Sequence, residues 1–232
     1  MAEYSVGMVI SLERGFLDYQ RQQERRLWLK IPYRPLDQLT LGILGATGDI
    51  GAHIAKAAKG LGMRVVGFGR SHRDEVFPFL DAVHFGSGAL PAMLSEVDYL
   101  VSCLPSTKET AGLLSGDILS HCTRSPGFMN IGRFGRQSLQ TPISLHSLTT
   151  FPPPPPPSPS SRFFCLCARG DIIDEESVIR ALDNKWIKVA VLDVMTKEPL
   201  PESSRLWTHR SVKAPPLLFI FGDSNGAHPS FL

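Results

Sequence analysis

Gly42-Ile43-Leu44-Gly45-Ala46-Thr47-Gly48-Asp49-Ile50-Gly51 decides the fold of this 232-residue chain. Leu39 to Leu44 form an apolar run with the character of a buried parallel strand, and an Ala/Lys/Ile helical pattern starts at Asp49. Between them Gly45, Gly48 and Gly51 allow a tight turn with close backbone approach. The helix then aims the unpaired N–H groups of its first turn at a phosphate. Such a turn is a cradle for the diphosphate of a dinucleotide. The spacing is G-x-x-G-x-x-G, one residue longer than the common G-x-G-x-x-G, with Thr47 as the extra member. An ordinary strand-to-helix turn is the competing reading of the glycines alone.

The flanking sequence supports the cradle. Ile50, Ile54, Ala57, Ala58 and Leu61 keep helical spacing up to Gly62, and Arg64-Val65-Val66-Gly67-Phe68 reads as a second strand, which completes a β-α-β unit. A carboxylate at the end of that second strand would hold the ribose hydroxyls of NAD, but no Asp or Glu occurs from Met63 to Arg73. Arg70, Ser71 and Arg73 stand there instead. Guanidinium groups suit a 2′-phosphate, so NADP(H) is expected in preference to NAD(H). The alternative for the two arginines is a solvated turn.

Composition narrows the class. With 43% hydrophobic and 20% charged residues, the chain can bury one sizeable core. A formal charge of +2 gives no argument for nucleic acid or a membrane surface as partner. Cys103, Cys122, Cys165 and Cys167 show no metal spacing with histidine, so no metal is expected, and Cys103 reads as a reduced, buried thiol in an apolar strand. Neither a secretory signal nor a membrane-spanning run is found. A cytoplasmic location is expected, with plastid or mitochondrial residence left open.

Further along the chain, Ala2 to Phe16 read as one amphipathic helix before the polar stretch Gln20 to Arg26, and Trp28 reads as the anchor of a connecting loop. Val97 to Leu104 read as another buried strand, leading through Pro105 and Ser106 to Thr110 into a helix. Pro126 to Arg133 read as a turn and a short strand, Asp171 to Leu182 as a helix, and Val189 to Val194 as a further strand. From Phe134 to Ala168 periodicity is lost. The run Pro152 to Pro157 favours extended polyproline II, and a disordered excursion is expected. Its Pro, Ser, Phe and Leu content resembles a translated pyrimidine-rich splice-acceptor tract, the mark of a retained intron. A true insertion, or a ligand for an aromatic-grooved adaptor, is the alternative.

Taken in order, these motifs resemble the D-isomer-specific 2-hydroxyacid dehydrogenases, and most nearly their glyoxylate and hydroxypyruvate reductases. The resemblance rests on the glycine loop and on Leu104-Pro105-Ser106-Thr107 with Thr110. It extends through Pro126 to Asn130, Arg169 to Glu175, and Leu192-Asp193-Val194, and then Glu198-Pro199-Leu200-Pro201 and Leu206-Trp207. It implies an α/β, Rossmann-like, doubly wound parallel sheet and an oxidoreductase acting on a small 2-keto or 2-hydroxy acid. By the same resemblance Arg169 holds the substrate anion and Glu198 orients a histidine, whose proton transfer suits the reaction. Asp193 meets the nicotinamide amide, and Leu104, Pro105 and Thr110 line the cofactor cleft beside Gly45, Gly48, Asp49, Ile50 and Gly51. Arg133 is a rival of Arg169, because excising the excursion would join Asn130-Ile131-Gly132 to an Arg-Gly pair.

Three departures qualify the expected activity. Leu217 stands where the family's histidine belongs, and neither His209 nor His228 is a persuasive replacement. Most of the second, substrate domain is expected to be missing, and the excursion interrupts the motif before Arg169. The expected organisation is a linking and dimerisation helix with its connector over 1–36 and a dinucleotide-binding domain in two parts, 37–133 and 169–213. These parts are separated by a proline-rich disordered insertion over 134–168 and followed by a divergent tail over 214–232. The expectation is an impaired reductase, with a homodimer as one option and the oligomeric state left open. The alternative is a non-catalytic nucleotide-binding module or regulatory isoform. The uncharged run Leu217 to Phe221 adds an expectation of poor solubility.

Overall fold

The computed structural model describes residues 1–69, 77–131, 170–197 and 200–213. Two helices come first, α1 (Ala2–Glu13) and α2 (Phe16–Glu24). Then strand and helix alternate: β1 (Thr40–Leu44), α3 (Asp49–Gly60), β2 (Arg64–Gly69), β3 (Ala82–Phe85), α4 (Leu90–Glu96), β4 (Tyr99–Ser102) and β5 (Gly127–Asn130). After the proline-rich stretch come α5 (Glu175–Asp183), β6 (Val189–Leu192) and β7 (Val212–Lys213). Among the described residues these strands make one sheet in the order β3-β2-β1-β4-β5-β6-β7, every pair parallel. The expected doubly wound α/β sheet is therefore present, and strands from both sides of the proline-rich stretch belong to it. The insertion itself and the tail lie outside the described residues.

Parallel strands joined by helical crossovers are covered on both faces, so their sequences are apolar throughout rather than alternating. Successive side chains of each strand enter opposite layers. Leu44, Val66, Phe68, Leu100, Phe128, Ala190 and Leu192 pack with α4 and α5. Leu41, Ile43, Val65, Tyr99, Val101, Met129 and Val191 pack on the other face with Ile54, Ala55 and Ala58 of α3 and Val9 of α1.

Three local expectations are corrected. The helix expected over Ala2 to Phe16 stops at Glu13, because Gly15 at φ +64° turns the chain into α2. No helix follows Thr110; the backbone N–H groups of Gly112 and Leu114, which a helix would direct at the preceding turn, donate to the carbonyls of Asp171 and Ile172 instead. Trp28 does not anchor the connecting loop to any of the described residues, being 97% exposed.

The amino ends of the strands carry a charge cluster, built on two enclosed carboxylates and two more exposed cations, that fixes α1 to the sheet. Glu13 accepts from Tyr99 Oη at 2.8 Å and from Arg34 Nε at 3.0 Å, with Lys188 Nζ at 3.5 Å. Asp98, only 3% exposed, accepts from Arg34 Nη1 at 2.6 Å and from the Thr40 backbone N–H at 2.9 Å. Burial alone would raise the Glu13 carboxyl. The hydrogen bonds from Arg34 and Tyr99 and the charges of Lys188 and Arg34 outweigh it and hold Glu13 at about 2, below its ordinary 4.5.

Because the folded chain holds Glu13 below its unfolded value, the carboxylate's contribution is complete above about pH 4.5 and is lost as pH falls towards 2. Thermal melts of Glu13→Gln should show a loss of about 2 kcal/mol at pH 7, the scale of charge-assisted hydrogen bonds. The gap to wild type should narrow below pH 4.5. A gap independent of pH would show that the charge contributes nothing.

Candidate functional site

The carboxyl end of β1 builds the cradle. Gly45 takes φ +88°, a conformation unfavourable to any residue with a side chain, and the Gly48 N–H closes the turn on the Gly45 carbonyl at 3.0 Å. Gly51, in the first turn of α3, lies so close beneath that a Cβ there would collide with the Gly45 carbonyl oxygen and approach the Ala46 Cα at 2.7 Å. Gly48 precedes α3, and no side chain caps that helix. Its first-turn N–H groups and its positive dipole end therefore suit an anion. The Asp49 carboxylate is turned to solvent, 3.5 Å from His53, and Ile50 packs against the core beneath.

Topology opens a crevice beside this turn. From β1 the chain builds outward through β2 and β3 on one side, and through β4 to β7 on the other. The carboxyl ends of β1 and β4 thus flank the point where strand order reverses, where ligands of such sheets bind. Cys103 sits there, its backbone N–H on the Leu44 carbonyl at 3.0 Å and its thiol donating to the same oxygen at 3.2 Å. It is half-buried rather than fully enclosed.

Leu104 and Pro105 continue from Cys103 along the crevice. Thr110 closes their loop by donating to the Pro105 carbonyl at 2.6 Å and accepting the Thr107 N–H at 2.8 Å. Ser106 donates to the Asp171 carboxylate at 2.5 Å, so the loop is tied to the segment that directly follows Arg169 in the chain. Asp193 extends β6, its N–H bonded to the Asn130 carbonyl at 3.0 Å. Gly45 to Gly51, Leu104 to Thr110, and Asp193 thus share the carboxyl edge of one sheet.

Arg70, Ser71, Arg73, Arg169, Glu198, Leu217 and Arg133 lie outside the described residues. The described chain reaches Gly69, the residue before Arg70, next to the cradle: Phe68 is in register with Leu44, and its carbonyl receives the Gly45 N–H at 3.1 Å. His209 precedes β7 at the amino edge, 3.5 Å from Asp183, which separates it from the crevice. A cavity of about 110 Å³ on the α5 side is lined by Asn130, Glu175, Leu192, Thr196 and Lys197, none of them part of the cradle. Among the described residues there is no group of three or more His, Cys, Asp or Glu placed to hold a metal, and no helix is long and apolar enough to cross a membrane.

A positive-φ glycine turn, an uncapped helix and a crevice at the strand-order reversal define a dinucleotide-binding α/β domain. The profile of the "D-isomer specific 2-hydroxyacid dehydrogenase, NAD binding domain" matches residues 6–137 and 158–217, skipping part of the proline-rich stretch. The chain belongs to that family. Glyoxylate/hydroxypyruvate reductase A of Citrobacter koseri is 28% identical over 93% of this chain, which spans 56% of that relative's length. The chain thus covers about half of the curated relatives it matches.

Two solved structures are similar. The D-isomer specific 2-hydroxyacid dehydrogenase of Xanthobacter autotrophicus Py2, crystallised with NADPH and MES, has a TM-score of 0.71 and 27% identity over 93% of this chain and 72% of its own. A family member from Aeromonas salmonicida has a TM-score of 0.72 and 33% identity over 93% of this chain and 56% of its own.

Two of the three glycines that shape the cradle, Gly51 and Gly48, differ in their tolerance of a methyl group. Gly51→Ala should lower stability by about 1–3 kcal/mol, the range for overpacking against a fixed neighbour. At Gly48 the new Cβ meets nothing nearer than the Gly45 oxygen at 3.4 Å, and Gly48→Ala should melt within about 0.5 kcal/mol of wild type. Urea unfolding of both variants checks this; equal losses would contradict the packing argument.

Proposed function

We propose that this chain is the nucleotide-binding part of an NADP(H)-dependent 2-keto acid reductase acting on glyoxylate or hydroxypyruvate, with catalysis impaired. The observation that carries the reading is the Gly45 to Gly51 cradle at the strand-order reversal. Family membership and the Citrobacter relative's name support the reaction class, and the Xanthobacter relative's NADPH supports the cofactor. Arg70, Ser71 and Arg73 suit the 2′-phosphate by their chemistry, and they follow the strand whose end adjoins the cradle.

When bound, the dihydronicotinamide supplies a hydride to the keto carbon. The chain's own residues position and exclude water around it. The cradle holds the diphosphate, Leu104, Pro105 and Thr110 form the wall beside it, and Asp193 accepts from the carboxamide. Arg169 neutralises the substrate carboxylate. Glu198 has the role of orienting an imidazole, but Leu217 stands in the imidazole's place. An absent general acid lowers the rate by roughly 100- to 10,000-fold. Leu217 is also the observation that favours the second reading, a nucleotide-binding module without turnover. The exposed Phe16, Leu17, Tyr19, Leu27, Trp28 and Leu29 on and after α2 support a homodimer through that region.

Fluorescence titration tests the cofactor, and added glyoxylate or hydroxypyruvate tests turnover. NADPH should bind at least 10-fold more tightly than NADH, and the variant Arg70→Ser/Arg73→Ser should remove that preference. Gly48→Ala, folded as above, should weaken both nucleotides. Binding with slow oxidation of NADPH supports the reductase, and binding without oxidation supports the module. A folded chain that binds neither nucleotide contradicts both.

A further inference from the structure

The first turn of α1 carries a buried polar group that the cofactor cleft can use. The Tyr4 hydroxyl oxygen is enclosed and has no hydrogen-bond partner among the described residues. Buried hydroxyls are rarely left so, because the lost hydration is not replaced.

The helix direction places this hydroxyl. Glu13, at the far end of α1, is held to Tyr99 and Lys188 at the amino edge of the sheet. From that clasp α1 runs back towards the carboxyl edge with Val9 and Val6 buried. Tyr4 lies nine residues from Glu13, about 14 Å along a helix at ~1.5 Å per residue. Asp193 lies five residues from Lys188, about 16 Å along a strand at ~3.3 Å per residue. Both therefore reach the same level. They share a face as well: Tyr4 packs against the layer that contains Val191, and Asp193 follows Val191 by two positions. Burial, and then the nearby Asp193 carboxylate, push the Tyr4 phenol up to about 12, so it stays a donor at any physiological pH.

We propose that Tyr4 is a positioning residue of the dinucleotide cleft, its hydroxyl donating to the Asp193 carboxylate when the nicotinamide end is in place. One carboxylate oxygen then takes the phenol proton's hydrogen bond, and the other is presented to the carboxamide N–H. The inference rests on the nucleotide reading above.

Tyr4→Phe removes only the oxygen, and two probes separate its role from that of the fold. The first is NADPH. The second is 2′-phospho-ADP-ribose, which has the diphosphate and the 2′-phosphate but no nicotinamide. Tyr4→Phe should melt at or above the wild-type temperature, since an unpartnered buried hydroxyl is gone. It should weaken NADPH about 3- to 10-fold, the scale of one hydrogen bond, and leave 2′-phospho-ADP-ribose unchanged. In an Asp193→Asn background the same substitution should have less than half that effect on NADPH. Unchanged NADPH affinity, or equal weakening of both probes, overturns the role of Tyr4 while wild-type binding keeps the nucleotide reading intact. A wild-type chain that binds neither probe overturns the nucleotide reading, and the Tyr4 proposal with it.

Discussion

Helix α3 begins directly under the end of β1 because residue 51 has no side chain. Gly51 rests against the Gly45 carbonyl, and a Cβ there would force strand and helix apart. That contact keeps the uncapped end of α3 over the carboxyl end of β1 and leaves the N–H groups of its first turn facing the crevice. The parallel sheet does the rest. With β2 and β4 on opposite sides of β1, the chain must leave β1 in one direction and return in the other, and the crevice opens where those directions part.

The candidate site and the anchorage of α1 occupy opposite edges of the sheet. The carboxyl edge carries the cradle, the Leu104 to Thr110 loop and Asp193, while the amino edge carries Glu13, Arg34, Asp98, Tyr99 and Lys188. Burying such charges is costly unless each is paired, and here the two carboxylates share Arg34, with Lys188 stacked over the Tyr99 ring at 4.4 Å. Burial pushes the Tyr99 phenol up and its bond to Glu13 pushes it further, so it remains protonated and donating. The amino-edge cluster matters to the crevice as well, because it sets the direction of α1 and with it the level that Tyr4 reaches.

Legibility in the sequence followed the strength of local signals. The β1-α3-β2 unit was readable because glycines punctuate two apolar strands and a helix of clear period. The outer strand β3 was not, since all four of its residues are only half-buried and make no apolar run. Nor was α4, seven residues long with proline in its first turn. The helix expected after Thr110 failed for a long-range reason: Asp171 and Ile172, distant in sequence, take the N–H bonds that a helix would have kept. For the site, the glycines, the Leu104 to Thr110 loop and Asp193 were legible as motifs and converge at one edge. The tie between Ser106 and Asp171 and the enclosed Tyr4 hydroxyl were not. The first joins residues remote in the chain, and a tyrosine in an apolar helical turn reads as core.

Hydrogen–deuterium exchange of the chain with and without saturating NADPH decides whether the glycine turn holds a nucleotide. NADPH should slow exchange of the amides from Gly45 to Ala52 and around Asp193, and leave the amino-edge segment around Arg34 and Asp98 unchanged. Saturation that leaves Gly45 to Ala52 exchanging as in the free chain would show that the cradle is an ordinary strand-to-helix turn and that the nucleotide sits elsewhere.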